Sequence, residues 1–325
     1  MVVTVGVLAS CGLGDKQRDA DAIVDGTRAA FESGSARGTI SVFAEVRSVP
    51  DGLGAIGGVN LGAAAEDGNA EAMFNAQAAR PMVAEVVFDF DDEVAALTIP
   101  GREHPFAVFD GLEGFGRRYN AGARDARPWV RVDLEDLAED ASALSFTEDS
   151  PFVGGFAINP VLLLDLAAGP LAGSIDEGRT EEIGGVRATR YEANFDIDKV
   201  LRRTRRARYD EDRRDAIDDA LDVLAVTGRT HAGEVLLDDD GLPRRFTIRL
   251  REEPIKRFKV DLVITLDITS YGGGSDIDVP TPAERIEIDN VVQFLRSMIP
   301  PPASAEFATF LGVDVATPAS AGPTP

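Results

Sequence analysis

Several stretches of this chain alternate apolar and polar residues with a period of two, the mark of strands with one buried face. Ile40, Val42, Ala44 and Val46 share one side, with Ser41, Glu45 and Arg47 on the other. Val86, Phe88 and Phe90 face one way before Asp91-Asp92-Glu93 turns the chain into a strand from Val94 to Ile99. Thr189, Tyr191, Ala193, Phe195 and Ile197 line up opposite Arg190, Glu192, Asn194 and Asp196. His231 to Leu237 and Arg244 to Arg251 form a hairpin about Asp238-Asp239-Asp240-Gly241, with Phe246, Ile248 and Leu250 inside. The longest run sets Phe258, Val260, Leu262, Ile264, Leu266 and Ile268 against Lys259, Asp261, Thr265, Asp267 and Thr269. One of its faces is buried and the other is wet. Strands that follow one another on short turns predict an antiparallel meander.

Helical spacing interrupts the meander. Asp15 to Ala36 predicts a first helix with Ile23, Thr27, Ala30 and Phe31 on one side, ended by Gly34 and Gly38. Asn159 caps a helix with Pro160 at its first position, running through Val161-Leu162-Leu163-Leu164-Asp165-Leu166 to Gly169-Pro170. A further helix is predicted over 210–226, where Ile217, Ala220, Leu221 and Leu224 oppose Asp215, Asp218, Asp219 and Asp222. Another follows Thr281-Pro282, with Ile288, Val291, Val292, Leu295 and Met298 at helical spacing. Helices with a single apolar stripe must cover the apolar face of the sheet, because neither surface is stable in water alone. Residues 50–80 are rich in Gly, Ala and Asn without periodicity and read as a loop insertion. Pro300-Pro301-Pro302 and the Pro/Ala/Thr/Ser tail read as disordered over 300–325.

Composition narrows the function classes. Fifty-six acidic residues against 33 basic ones give a formal net charge of -23, which argues against nucleic acid as a partner and against an electrostatic grip on anionic lipid. Few Lys beside many Arg, Ala, Gly and Asp suggest a high-GC, actinobacterial source. Beyond residue 11 there is no apolar run of the ~18 residues that a membrane span needs. The apolar start, Val2-Val3-Thr4-Val5-Gly6-Val7, leads into Leu8-Ala9-Ser10-Cys11, the lipobox pattern at which a bacterial lipoprotein is acylated on the thiol and cleaved. Cys11 is also the only cysteine, which excludes an intrachain disulfide and a cysteine cluster. Residues 1–11 therefore read as a signal segment and Cys11 as the lipidation site.

Catalytic chemistry is sparse. The two histidines, His104 and His231, read as surface or structural residues. The acidic stretches at 89–93 and 238–241 lack the alternating ligands and distal Glu of a calcium loop and read as solvated hairpin tips. Gly111-Leu112-Glu113-Gly114-Phe115-Gly116 and Gly272-Gly273-Gly274 do not join a strand to a helix, so they read as turns or bulges and not as phosphate cradles. Arg202-Arg203-Thr204-Arg205-Arg206-Ala207-Arg208 is followed at once by Asp210-Glu211-Asp212, which neutralises it. No Ser/His/Asp order, metal quartet or nucleotide fingerprint is present; neither an enzyme nor a cofactor is expected.

The lipobox, Trp129-Val130-Arg131-Val132-Asp133-Leu134, Gly184-Gly185-Val186-Arg187-Ala188-Thr189-Arg190-Tyr191 and the run from Val235 to Arg245 occur in an order that resembles the actinobacterial lipoproteins of the LppX, LprG, LprA and LprF group. Tyr271-Gly272 followed by Asp278-Val279-Pro280 agrees with that order. The resemblance implies an α+β, LolA/LolB-like fold over 12–282: a curved antiparallel β-sheet, a half-barrel, covered by helices around a lipid-sized apolar cavity. The insertion at 50–80, a helix over 283–299 and the tail depart from it. On this reading the chain is a lipid-anchored protein of the extracytoplasmic membrane face that binds or shuttles a lipid or glycolipid. Candidate lining residues are Phe88, Phe90, Tyr191, Phe195, Leu262 and Ile264 from strands, with Leu163 and Leu221 from helices. The alternative is a tethered sensor or interaction domain with a collapsed core, meeting an envelope protein partner.

Overall fold

The computed structural model describes residues 11–48, 55–56, 59–60, 82–111, 113–118, 120–121, 125–133, 159–204, 229–255 and 258–288. The chain opens on helix α1 (Cys11–Glu32), which buries Ala20, Ile23, Thr27 and Ala30. Thr27 is satisfied within the helix, its hydroxyl donating to the Ile23 carbonyl at 2.8 Å. Gly34, at a φ of 76°, ends the helix with a left-handed residue. Gly38 does not take part in that stop: it lies inside strand β1 (Ser35–Ser48), where a Cβ would stand 2.0 Å from the Asp267 carbonyl oxygen. The strand begins earlier than the apolar alternation suggested, at Ser35, and Gly38 allows its close approach to the neighbouring strand.

After β1 come β2 (Ala55–Ile56) and β3 (Val59–Asn60), a short antiparallel pair within the predicted insertion, the rest of which lies outside the described residues. Five strands follow, β4 (Met82–Asp89), β5 (Val94–Thr98), β6 (Ala107–Asp110), β7 (Glu113–Arg117) and β8 (Trp129–Asp133). Then come α2 (Pro160–Leu166), a short 3-10 turn (Ala172–Ser174), β9 (Asp176–Ile183), β10 (Val186–Asp196) and α3 (Ile197–Thr204). Ile197, expected as the last inward residue of a strand, instead begins α3, because the Asp196 carboxylate accepts from the Lys199 amide at 3.2 Å and caps that helix. The last strands are β11 (Thr230–Asp238), β12 (Pro243–Ile255), β13 (Phe258–Tyr271) and β14 (Arg285–Glu287). The described start of the range expected as a helix over 283–299 is not helical: residues 285–287 form β14, paired with β8, and residues from 289 onward are outside the described set. The helix over 210–226, most of the basic run and the tail also lie outside it.

Among the described residues twelve strands form one open sheet in the order β14-β8-β7-β6-β5-β4-β1-β13-β12-β11-β10-β9. Two antiparallel meanders, β4 to β8 and β9 to β13, meet on the two edges of β1. The pairing of β14 with β8 is parallel, which makes the sheet mixed and not purely antiparallel. The turns have the chemistry they require: Gly184 and Gly185, both with positive φ, close the β9–β10 hairpin.

One face carries the main core. The rows that cross it alternate bulky and small residues: Phe109, Ala95, Phe88 and Ala36 stand opposite one another on successive strands, as do Ala107, Leu97, Val86 and Gly38. Bulky residues in every place would collide where side chains converge, as they do inside a curved sheet. Curvature also follows from the reach of α2. The Asn159 side-chain amide donates to the Gly111 carbonyl at the end of β6, and Pro170 forms a bridge with Phe195 on β10, seven strand positions away. Along a flat sheet that separation is about 34 Å, whereas the helix and turn between Asn159 and Pro170 cover only about 20–25 Å.

The opposite face is covered at one end as well, which the alternation did not foretell. Val94, Ala96, Val108, Phe115 and Trp129 form a second apolar cluster under Ile277 and Val279, from the segment after β13.

Candidate functional site: the apolar face beneath two helices

Phe88 and Phe90 lie at the end of β4 and in the turn after it, their rings stacked with centroids 5.4 Å apart. Phe31 of α1 meets Phe90 edge-on at 5.0 Å, and the Phe90 amide donates to the Gly34 carbonyl at 2.9 Å, so this corner fixes the C-terminal end of α1. On the far limb, Phe195 lies against Gly233, where a Cβ would come within 3.1 Å of its ring, and meets Phe246 edge-on at 5.2 Å. Ile264 of β13 pairs with Val42 on one side and Ile248 on the other. Leu163 enters from α2.

Of the predicted lining residues, Phe88, Phe90, Phe195, Ile264 and Leu163 therefore belong to one buried apolar cluster. Tyr191 is only half-buried and packs against its margin. Burial, with Glu177 of β9 and Asp19 of α1 nearby, raises its phenol above the usual range. Leu262 sits in β13 opposite Ala44 and Leu250, with its side chain outside the described set; Leu221 lies outside it altogether.

Helix α2 brings a group that the sequence reading passed over. Asn159 caps it, with its Oδ1 accepting from the Val161 amide at 2.9 Å, as the Asn-Pro start predicted. Its far end is tied down where Asp196 donates its amide to the Gly169 carbonyl at 2.8 Å and Leu171 donates to the Asn194 carbonyl at 2.8 Å. Gly169 is needed there, since a Cβ would meet the Asp196 oxygen and a Val200 methyl at 2.6 Å each. Between these ends Val161, Leu163, Leu164, Asp165 and Leu166 are all buried. Asp165 is 4% exposed, and burial lifts its carboxyl to about 7. The signal was in the sequence: the positions three and four residues away are Val161, Leu162, Ala168 and Gly169, none of which can pair with an acid.

The acidic turns are occupied by their own backbone. Asp89 accepts from the Asp91 and Asp92 amides at 3.1 and 3.0 Å and from the Ser275 hydroxyl. Asp238 accepts from the Asp240 and Leu242 amides at 3.0 and 2.8 Å and from Arg244 Nε at 2.7 Å. Both are side-chain-closed turns. His104 is exposed in the β5–β6 connection and His231 is buried in β11.

Two members of the lipoprotein group resembled by the sequence are similar to this chain in structure. Its structural neighbours are LppX and LprF. The Mycobacterium tuberculosis lipoprotein LppX is 11% identical, and the match covers 79% of this chain and 99% of that one with a TM-score of 0.37. For LprF from Mycobacterium bovis the identity is 10%, the coverage 82% and 97%, and the TM-score 0.32. No protein family model and no curated protein matches the chain.

Proposed function

We propose that this protein is a lipid-anchored, extracytoplasmic carrier, not an enzyme, which takes the acyl part of a lipid or glycolipid between its curved sheet and α2. The observation that carries the reading is the continuous apolar face bridged by a helix whose polar ties are at its two ends. A bridge between strands seven positions apart supports a curved sheet, and the carrier reading takes it as a half-barrel covered by helices, LolA-like in form. Burial of acyl surface at ~25 cal/mol per Å² supplies the affinity. The lipobox supports the anchor, and Cys11 already lies within α1, so acylation there would hold the body against the membrane surface without a long spacer.

A second reading is favoured by the closeness of the ring pairs. Contacts of 5.0–5.4 Å among Phe31, Phe88, Phe90, Phe195 and Phe246 are those of a filled core, which suits a tethered interaction domain. Purification of the full-length chain without detergent, followed by solvent extraction and mass spectrometry, decides between them. A carrier yields stoichiometric lipid, and Ile264→Trp lowers that yield with little change in melting temperature. No lipid from the wild type, together with a Trp variant destabilised by the ~1–3 kcal/mol of an overpacked core, refutes the carrier.

A further inference from the structure

Asp165 is a buried acid in the last turn of α2, the helix that bridges the apolar face. Its neighbours along α2 are Leu163, Leu164 and Leu166, all buried. Among the described residues no side chain or amide donates a hydrogen bond to its carboxyl, and burial alone accounts for its altered titration. Among the described residues no charged group lies close enough to compensate it. Strand β5, Val94–Thr98, has no ionisable residue. On α3, Asp198 is paired with Arg229, and Lys199 donates to the Pro170 carbonyl at 3.4 Å. Asp196, at the end of β10, is engaged by the Lys199 amide. Arg202 and Arg203 stand in the last turn of α3, whose side chains are outside the described set. A carboxyl held this way is costly to bury in either protonation state, since the ionised form lacks a donor and the neutral form lacks an acceptor for its own proton. Leucine would fill a helix position of this kind at no such cost.

We propose that Asp165 is the polar recognition point of the bound lipid, accepting a hydrogen bond from a hydroxyl or amine on the ligand. The ligand class is then an amphiphile that carries a donor next to its acyl chain, such as a partial glyceride or a glycolipid, and not a hydrocarbon or a simple ester. The inference rests on the carrier reading and sharpens it: the apolar face supplies affinity for the chain, and Asp165 selects the head. When the ligand is absent the carboxyl has no partner, so binding and docking of α2 reinforce each other.

The test compares two probes with the same acyl chain, 1-monopalmitoylglycerol, with two free hydroxyls, and methyl palmitate, with none. Each is titrated into the full-length chain by displacement of the neutral reporter N-phenyl-1-naphthylamine. The wild type is expected to prefer the monoglyceride by about tenfold or more, the scale of a hydrogen bond to a charged group. Asp165→Leu should abolish the preference while still binding both probes, and Asp165→Ala gives the same comparison should the leucine variant not fold. Equal binding of both probes by the wild type, or an undiminished preference in both variants, overturns the role of Asp165 and leaves the carrier reading standing. Failure of the reporter and both probes to bind the wild type refutes the carrier reading and this inference with it.

Discussion

Replacing Gly26 by alanine tests whether α1 is seated on the sheet as described. In an isolated helix the change stabilises, because alanine exceeds glycine in helix propensity by about 1 kcal/mol. Here the new Cβ would stand 2.1 Å from the Gly241 carbonyl oxygen and 3.3 Å from a Leu237 methyl. The first contact is about 1 Å too short, and the obstacle is backbone in a turn that Asp238 holds from two amides, so it cannot yield cheaply. Either α1 lifts, loosening Ala20, Ile23 and Ala30, or the turn distorts. An overpacking cost of about 3 kcal/mol less the propensity gain leaves a net loss of about 2 kcal/mol, or a fall of roughly 4–8 °C in melting temperature for a domain of this size. Gly14→Ala is the internal control, since nothing lies within 4 Å of its Cβ position on the same helix. Thermal and urea unfolding followed by circular dichroism should show Gly14→Ala neutral or stabilised and Gly26→Ala destabilised. If both variants gain stability alike, α1 does not dock on the β11–β12 turn and the account of the covered face is wrong.

The buried acid sets a pH prediction whose sign is definite. The folded-state value of about 7 for Asp165 lies above the model-compound 3.8, so the folded protein holds the proton longer than the unfolded chain does. Its contribution is fully present below pH ~4, is lost as pH rises to about 7, and amounts to roughly 4 kcal/mol in all. Asp165→Asn should therefore gain stability over the wild type between pH 4 and 7 in urea titrations, and a constant difference across that range would show the carboxyl to be solvated. Asn159→Ala removes both the helix cap and the bond to Gly111, each 2.9 Å long; a loss of about 1–3 kcal/mol is expected, with faster amide exchange in α2, and unchanged exchange would show that the cap does not hold the helix. Arg244→Met should weaken the β11–β12 turn by roughly 1–3 kcal/mol, because Arg244 both donates to the nearly buried Asp238 and lies over the Tyr271 ring at 5.3 Å; an unaltered melting temperature would make that corner energetically idle.

Strand identity and facing were legible because the period of alternation is a local property. Val86, Phe88 and Phe90, and Ile264, Leu266 and Ile268, are buried as their spacing predicted, and Asn159-Pro160 starts a helix where its chemistry said it would. Gly38 was misread as a helix stop because glycine marks both turns and close backbone approach, and its reason for being there is a carbonyl on a strand more than two hundred residues away in the chain. The second apolar cluster was missed because Trp129 and Phe115 acquire their cover from Ile277 and Val279, a contact with no local signature. Asp165 was passed over because the lack of a pairing residue three or four positions away marks a lone acid without saying whether it faces water or the core, and only the packing of α2 decides that.

What this chain's sequence determines by itself is thus what short-range physics determines: which segments alternate as strands, which face of each is apolar, and where a cap such as Asn159 starts a helix; the acidic turn at 238–241, read as solvated, instead buries Asp238 against its own amides and Arg244. Tertiary structure alone decided that β1 stands between two meanders, that β14 joins in parallel, and that α2 links strands seven positions apart and so bends the sheet. These are matters of which distant surfaces meet. An apolar face states only that it must be covered, and many partners satisfy that demand equally until backbone reach, register and the room left by a glycine select one.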